Sequence, residues 1–144
     1  MRNLPKVFLV IVVMLSGCNR SSEISGPEPI PSGAYHYTAF DSSGVAVAEG
    51  SLTIFYKDSI RCIGNWDIKQ IGYPDPGRVG NQIGSGQHVG GIEGKNIWIE
   101  LYPQYIDNNF ELIGKFERNI IQGEWHWITF AGLTGKGTFK LAKN

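Results

Sequence analysis

Polar and apolar positions alternate with a period of two along nearly the whole chain from Gly33 to Asn144, and no stretch there repeats apolar residues at helical spacing. Such alternation puts successive side chains on opposite faces of a strand. It predicts eight strands, at 33–40, 45–56, 60–71, 87–94, 97–103, 110–117, 120–130 and 135–142. Turn-forming residues separate most of them, at Asp41-Ser42-Ser43-Gly44, Lys57-Asp58-Ser59, Lys95-Asn96 and Arg118-Asn119. The connection 72–86 is far longer than a hairpin turn.

Within the alternation a Gly-x-bulky triplet recurs in seven of the eight strands: Gly33/Tyr35, Gly50/Leu52, Gly64/Trp66, Gly90/Ile92, Gly114/Phe116, Gly123/Trp125 and Gly137/Phe139. Residues i and i+2 share a face, so each glycine lies beside a large side chain, and the same face continues apolar through Ile54, Cys62, Ile68, Ile99, Leu112, Ile121 and Leu141. The opposite face carries Arg61, Asp67, Lys115, Glu117, Gln122, Glu124, Lys136 and Lys140. A glycine repeated on the apolar face suits strands that bend sharply and alternate small with large inside a narrow barrel. The fold expected is therefore all-β, a single eight-stranded antiparallel up-and-down barrel, with a β-sandwich as the alternative. Turn lengths suggest registers. A three-residue turn at 57–59 sets Gly50 opposite Trp66 and Leu52 opposite Gly64. A turn at Lys95-Asn96 sets Gly90 opposite Leu101. The turn at Arg118-Asn119 sets Gly114 opposite Gly123, two small residues facing each other, which predicts a dent.

The N-terminus is organised differently. Arg2 and Lys6 precede an unbroken apolar run from Val7 to Leu15, followed by small Ser16 and Gly17. That run is about half the ~20 residues of a spanning helix, so it reads as a cleaved leader over 1–17. Residues 19–32 are polar, with three alternating prolines at 27, 29 and 31, a composition suited to an extended spacer. The expected organisation is leader 1–17, Cys18 with a tether to 32, and a barrel domain over 33–144.

Charge narrows the partners. The chain carries 13 basic and 13 acidic residues. Loss of Arg2 and Lys6 with the leader leaves a slight acidic excess, which argues against a nucleic-acid partner and shows no polybasic strip along the sequence. Cys62 is the one cysteine after Cys18 and reads as a small buried hydrophobe.

Leu15-Ser16-Gly17-Cys18 resembles the lipobox of bacterial lipoproteins. The resemblance implies acylation of the Cys18 thiol, cleavage just before it, and attachment to membrane lipid; each buried methylene contributes about 0.8 kcal/mol, so two or more chains hold firmly. Asn19, rather than Asp, then implies the outer membrane of a diderm, or otherwise the outer face of the cytoplasmic membrane. The glycine–aromatic triplets, with Ser85-Gly86-Gln87-His88-Val89-Gly90-Gly91, resemble calycin-type barrels such as lipocalins and the avidin group. That resemblance implies a barrel and carries over no ligand residue.

Two regions are candidate binding sites. Tyr73, Asp75, Arg78, Asn81 and Gln82, on the long connection, are placed to line a barrel mouth. Tyr37, Trp66, Trp125 and Trp127, with Tyr35, Tyr56 and Phe116, either line an apolar cavity for a small aromatic or apolar ligand or fill the core; eight strands enclose little more than their own side chains, which favours filling. Outward apolar residues Phe40, Phe55, Trp98, Tyr102, Ile113 and Phe130 offer an alternative patch for a protein partner. His36, His88 and His126 lack metal-ligand spacing and read as surface residues. No nucleophile motif, cofactor motif or metal motif is legible. The function expected is a membrane-anchored, non-catalytic binding module.

Overall fold

A computed structural model describes Pro29 to Asn144; the leader, Cys18 and residues 19–28 lie outside the described residues. The eight strands form in the expected order: β1 (Gly33–Asp41), β2 (Ala46–Tyr56), β3 (Arg61–Gln70), β4 (Gly84–Glu93), β5 (Asn96–Glu100), β6 (Asn108–Glu117), β7 (Ile120–Thr129) and β8 (Gly132–Lys143). Each pairs antiparallel with its neighbours in sequence, and β8 returns to pair with β1, so the sheet closes as an up-and-down barrel with no free edge. This architecture is consistent with a calycin-like fold. One short helix, α1 (Pro76–Val79), interrupts the long β3–β4 connection.

All seven bulky members of the triplets are buried, so the glycine-spaced rings are the inner wall. Two expected registers are corrected, each by two residues. Gly50 faces Ile68 and Leu52 faces Trp66. The turn between β2 and β3 is longer than three residues because the Asp58 carboxylate accepts the amides of Ile60 and Arg61, at 3.0 and 2.8 Å, and holds Arg61 in the turn. Gly90 faces Ile99, because the β4–β5 turn is centred on Gly94-Lys95, with Gly94 at φ +60°. A glycine takes that left-handed conformation without steric cost, as the first central residue of a type II′ turn requires. The Arg118-Asn119 turn forms as expected, both residues left-handed, and Gly114 faces Gly123.

The inward glycines serve a common construction. At Gly137 the carbonyl of Phe40, on one neighbouring strand, tips toward the interior, where a Cβ would overlap it. From the other neighbouring strand Trp125, directly opposite Gly137, lays its ring across the glycine and donates its indole N–H to that carbonyl at 2.8 Å. Gly64 repeats the arrangement: the Thr53 carbonyl tips inward and His88, opposite Gly64, reaches across it with Nε2 at 2.7 Å. Trp66 likewise crosses Gly86 to donate to the Leu101 carbonyl at 3.1 Å. Each glycine clears the path, and each ring supplies a donor to a backbone carbonyl.

The two ends of the barrel differ. The near end, where the described chain enters, has tight hairpins at 57–60, 94–95 and 118–119. The chain joins the fold before Gly33. Ile30 is 1 % exposed within the core, and its carbonyl accepts the Tyr56 hydroxyl at 2.9 Å. The Tyr35 hydroxyl donates to the Pro31 carbonyl and Lys143 to that of Ser32. The last residues of the expected spacer thus close this end. The far end carries the long β3–β4 connection and the turns after β1, β5 and β7.

Candidate functional site

The residues expected to line a mouth at the far end separate into a stopper and a surface. Val79, on α1, and Gln82 are buried. Gln82 accepts the Tyr37 hydroxyl at 2.7 Å through Oε1 and donates through Nε2 to the Val79 carbonyl, so its amide is satisfied inside the wall. Arg78 pairs with Asp41, clasping the loop to the end of β1. Burial alone would raise the Asp41 carboxyl, but the Val45 amide, the Arg78 guanidinium and the Ser43 amide together hold it below the usual carboxylate range. Asn81 is half-buried beside them, whereas Tyr73 and Asp75 face water.

The interior aromatics are packed. Tyr37 stacks on Phe139 and Trp125 on Phe110, with centroids 6.1 and 5.3 Å apart, and Trp66 meets Tyr102 edge-on at 5.1 Å. Tyr35, Tyr37, Trp66, Phe116 and Trp125 belong to one buried cluster. Trp127 is half-buried against Gly80, its indole donating to the Asn108 carboxamide at 2.9 Å, and Tyr56 sits half-exposed at the near rim. With Ile30 at one end and Val79 and Gln82 at the other, the expected mouth is stoppered.

His88 and Cys62 are two further buried titratable groups. His88, expected at the surface, is instead buried, because its ring is needed across Gly64; burial depresses its pKa, and the Thr53 and Val89 backbone opposes this in part. Its Nε2 carries the proton donated to the Thr53 carbonyl, which leaves Nδ1 without a partner among the described residues. Burial pushes the Cys62 thiol up to about 11, so it stays protonated and poorly nucleophilic.

What remains in water is a crown at the far end. Val45, Tyr73, Tyr105, Ile106, Phe130 and Leu133 are all exposed, Ile106 by 99 % and Phe130 by 93 %. They come from all four connections of that end: 42–45, 71–83, 101–107 and 130–131 with the start of β8. Sequence reading found Tyr73 and Phe130 but missed the others. Tyr105 and Ile106 lie in a turn, outside the strand alternation, whereas Val45 borders β2 and Leu133 lies at the start of β8, and only the topology brings the four to one end.

A second feature lies on the outer flank over β4–β7, a groove of about 980 Å³ lined by Ile60, Arg61, Trp98, Ile113, Glu124 and His126 among others. Gly114 and Gly123 both border it, while Phe139 and the Ile113 carbonyl occupy the space where their Cβ atoms would lie. Trp98 lies across its partner Gly91, as the interior rings do, but on the outer face; its indole N–H has no acceptor among the described residues. Of the outward patch foreseen in the sequence, Trp98 and Ile113 are cross-strand neighbours here, Phe55 stands apart on β2, Phe130 belongs to the crown, Tyr102 packs on Trp66 and Phe40 lies half-buried under Lys140.

Among the described residues no group of three or more His, Cys, Asp or Glu is placed to hold a metal ion. No family model, characterised protein or solved structure matches this chain.

Proposed function

We propose that this protein is a non-catalytic binding module of the cell envelope, held to membrane lipid through acylated Cys18, and that it offers its far-end loops to a protein partner. The observation that carries this reading is the crown: every connection at one end of the barrel carries a large apolar side chain in water. Large apolar side chains left in water at one end of a fold suit an interaction surface, and loop tips on a rigid scaffold are a recurrent way of building one. The described chain enters at the opposite end, so the crown points away from the attachment. From Cys18 to Pro29 an extended chain spans at most roughly 40 Å. A second reading, a small amphipathic ligand in the flank groove, is favoured by the free indole N–H of Trp98 above Gly91.

The partner reading is tested in cells with photo-crosslinking residues at 73 and 130, and at 69 on the wall. The expected result is a discrete adduct from the two crown positions, lost when excess unlabelled chain is present. Adducts of equal yield from position 69, or none from the crown, would remove the reading. Enrichment of a ligand protected by Trp98 rather than by the crown would favour the groove.

A further inference from the structure

Cations scattered along the sequence converge at the near end. Lys57 and Arg61 bracket the β2–β3 turn, Lys95 sits in the β4–β5 turn, Lys115 precedes the β6–β7 turn that Arg118 opens, and Lys143 closes β8. Three carboxylates, Asp58, Glu93 and Glu117, accompany these six cations, and two are engaged locally: Asp58 with Arg61 and the turn amides, and Glu117 with Lys115 at 2.7 Å. Glu117 is held below the usual carboxylate range first by Lys115, then by Lys95 and Arg118, so cations from two different hairpins act on one carboxylate. Among the described residues Lys57, Lys95 and Arg118 have no carboxylate within pairing distance. Ile60, at the tip of the β2–β3 turn, is exposed, and Trp98 stands on the adjoining flank.

We propose that this end is a docking face for an anionic lipid surface, with the three hairpins in the headgroup layer and the barrel standing upright on the bilayer. Charge complementarity supports the assignment, because phosphate headgroups supply the opposite sign. The chain path supports it too, since the segment leading back to Cys18 leaves from this end and brings it within roughly 40 Å of any anchor. Lysine and arginine around an exposed isoleucine and a tryptophan are the residue types that settle at the boundary of headgroups and acyl chains. The orientation rests on the anchored-module reading; the affinity of the face for lipid does not, and it operates without an acyl chain.

The test uses the chain from residue 19 onward, which lacks Cys18 but contains the whole closed barrel. It is sedimented with vesicles of mixed phosphatidylglycerol and phosphatidylcholine, and with phosphatidylcholine alone. Binding is expected to the mixed vesicles only, and to weaken with added salt. Lys57→Gln with Lys95→Gln should lower the partition coefficient about 25-fold, taking ~5-fold per cation. Lys69→Gln with Lys136→Gln, which removes the same charge toward the far end, should leave it nearly unchanged. Equal binding to both vesicle types, or equal loss in the two variants, overturns the proposal. A mature native N-terminus found without acyl chains would overturn the anchored reading and leave the lipid affinity of this face standing.

Discussion

At the scale of single residues, the informative positions are the glycines that a ring crosses. Gly64 and Gly137 have no room for a methyl group, because a neighbouring carbonyl already occupies it. Alanine at either should destabilise the barrel by about 3 kcal/mol. Gly77 has open space around it, and alanine there should be neutral within ~0.5 kcal/mol. Urea midpoints of the three variants check this ranking. His88 gives a pH signature. Its pKa is lower in the folded chain than in the unfolded one, so the unfolded chain takes up the proton first. Stability should therefore be full above the unfolded value near 6.5 and decline as pH falls from there toward the lower folded value. Trp125→Phe retains His88 and should keep this decline while leaving the Phe40 carbonyl without its donor, a loss of roughly 1–3 kcal/mol. His88→Gln should flatten the same limb of a stability–pH curve.

At the scale of elements, the face of each strand was legible in the sequence and the register was not. A hairpin slipped by one residue turns every side chain to the other face, whereas a slip of two preserves parity. Both misplaced hairpins slipped by two, which is why Leu52, Trp66 and Ile92 were assigned inward correctly while their partners were not. The information needed lay in Asp58, whose side chain lengthens one turn, and in Gly94, whose free φ fixes another; neither signal belongs to the alternation. The long connection was legible as something other than a hairpin, but not as a stopper, because the burial of Val79 and Gln82 depends on the far-end geometry. The clasp from Arg78 to Asp41 also joins residues 37 positions apart. Val79→Ser should loosen this element without opening the barrel. Hydrogen exchange should then rise across 72–82 and stay unchanged in β6 and β7, and a uniform rise would show that the stopper is part of the global fold.

At the scale of the whole molecule, the barrel has an axis with unlike ends: cations and the chain entrance at one, apolar loop tips at the other. Neither end is visible along the sequence, since each is assembled from hairpins far apart in the chain. Phe130→Ser and Tyr73→Ser remove side chains that lie almost wholly in water, so their melting temperatures should match the parent while crosslinking from neighbouring crown positions falls. Loss of stability in either variant would mean that the crown supports the fold rather than a partner. Cys62 offers a check on the integrity of the wall: its thiol should resist alkylation in the native chain and react fully once unfolded.

The stoppers have a kinetic consequence. A carrier must fill and empty, and its rate of uptake waits on some gate swinging aside. Ile30 is wedged into one opening of this cylinder and Val79 and Gln82 into the other, so any route to its interior runs past a buried side chain. A partner that docks on the outer loops needs no such gate, so its encounter should proceed in a single bimolecular step, with an observed rate that climbs linearly with concentration; a plateau would show that an opening motion comes first.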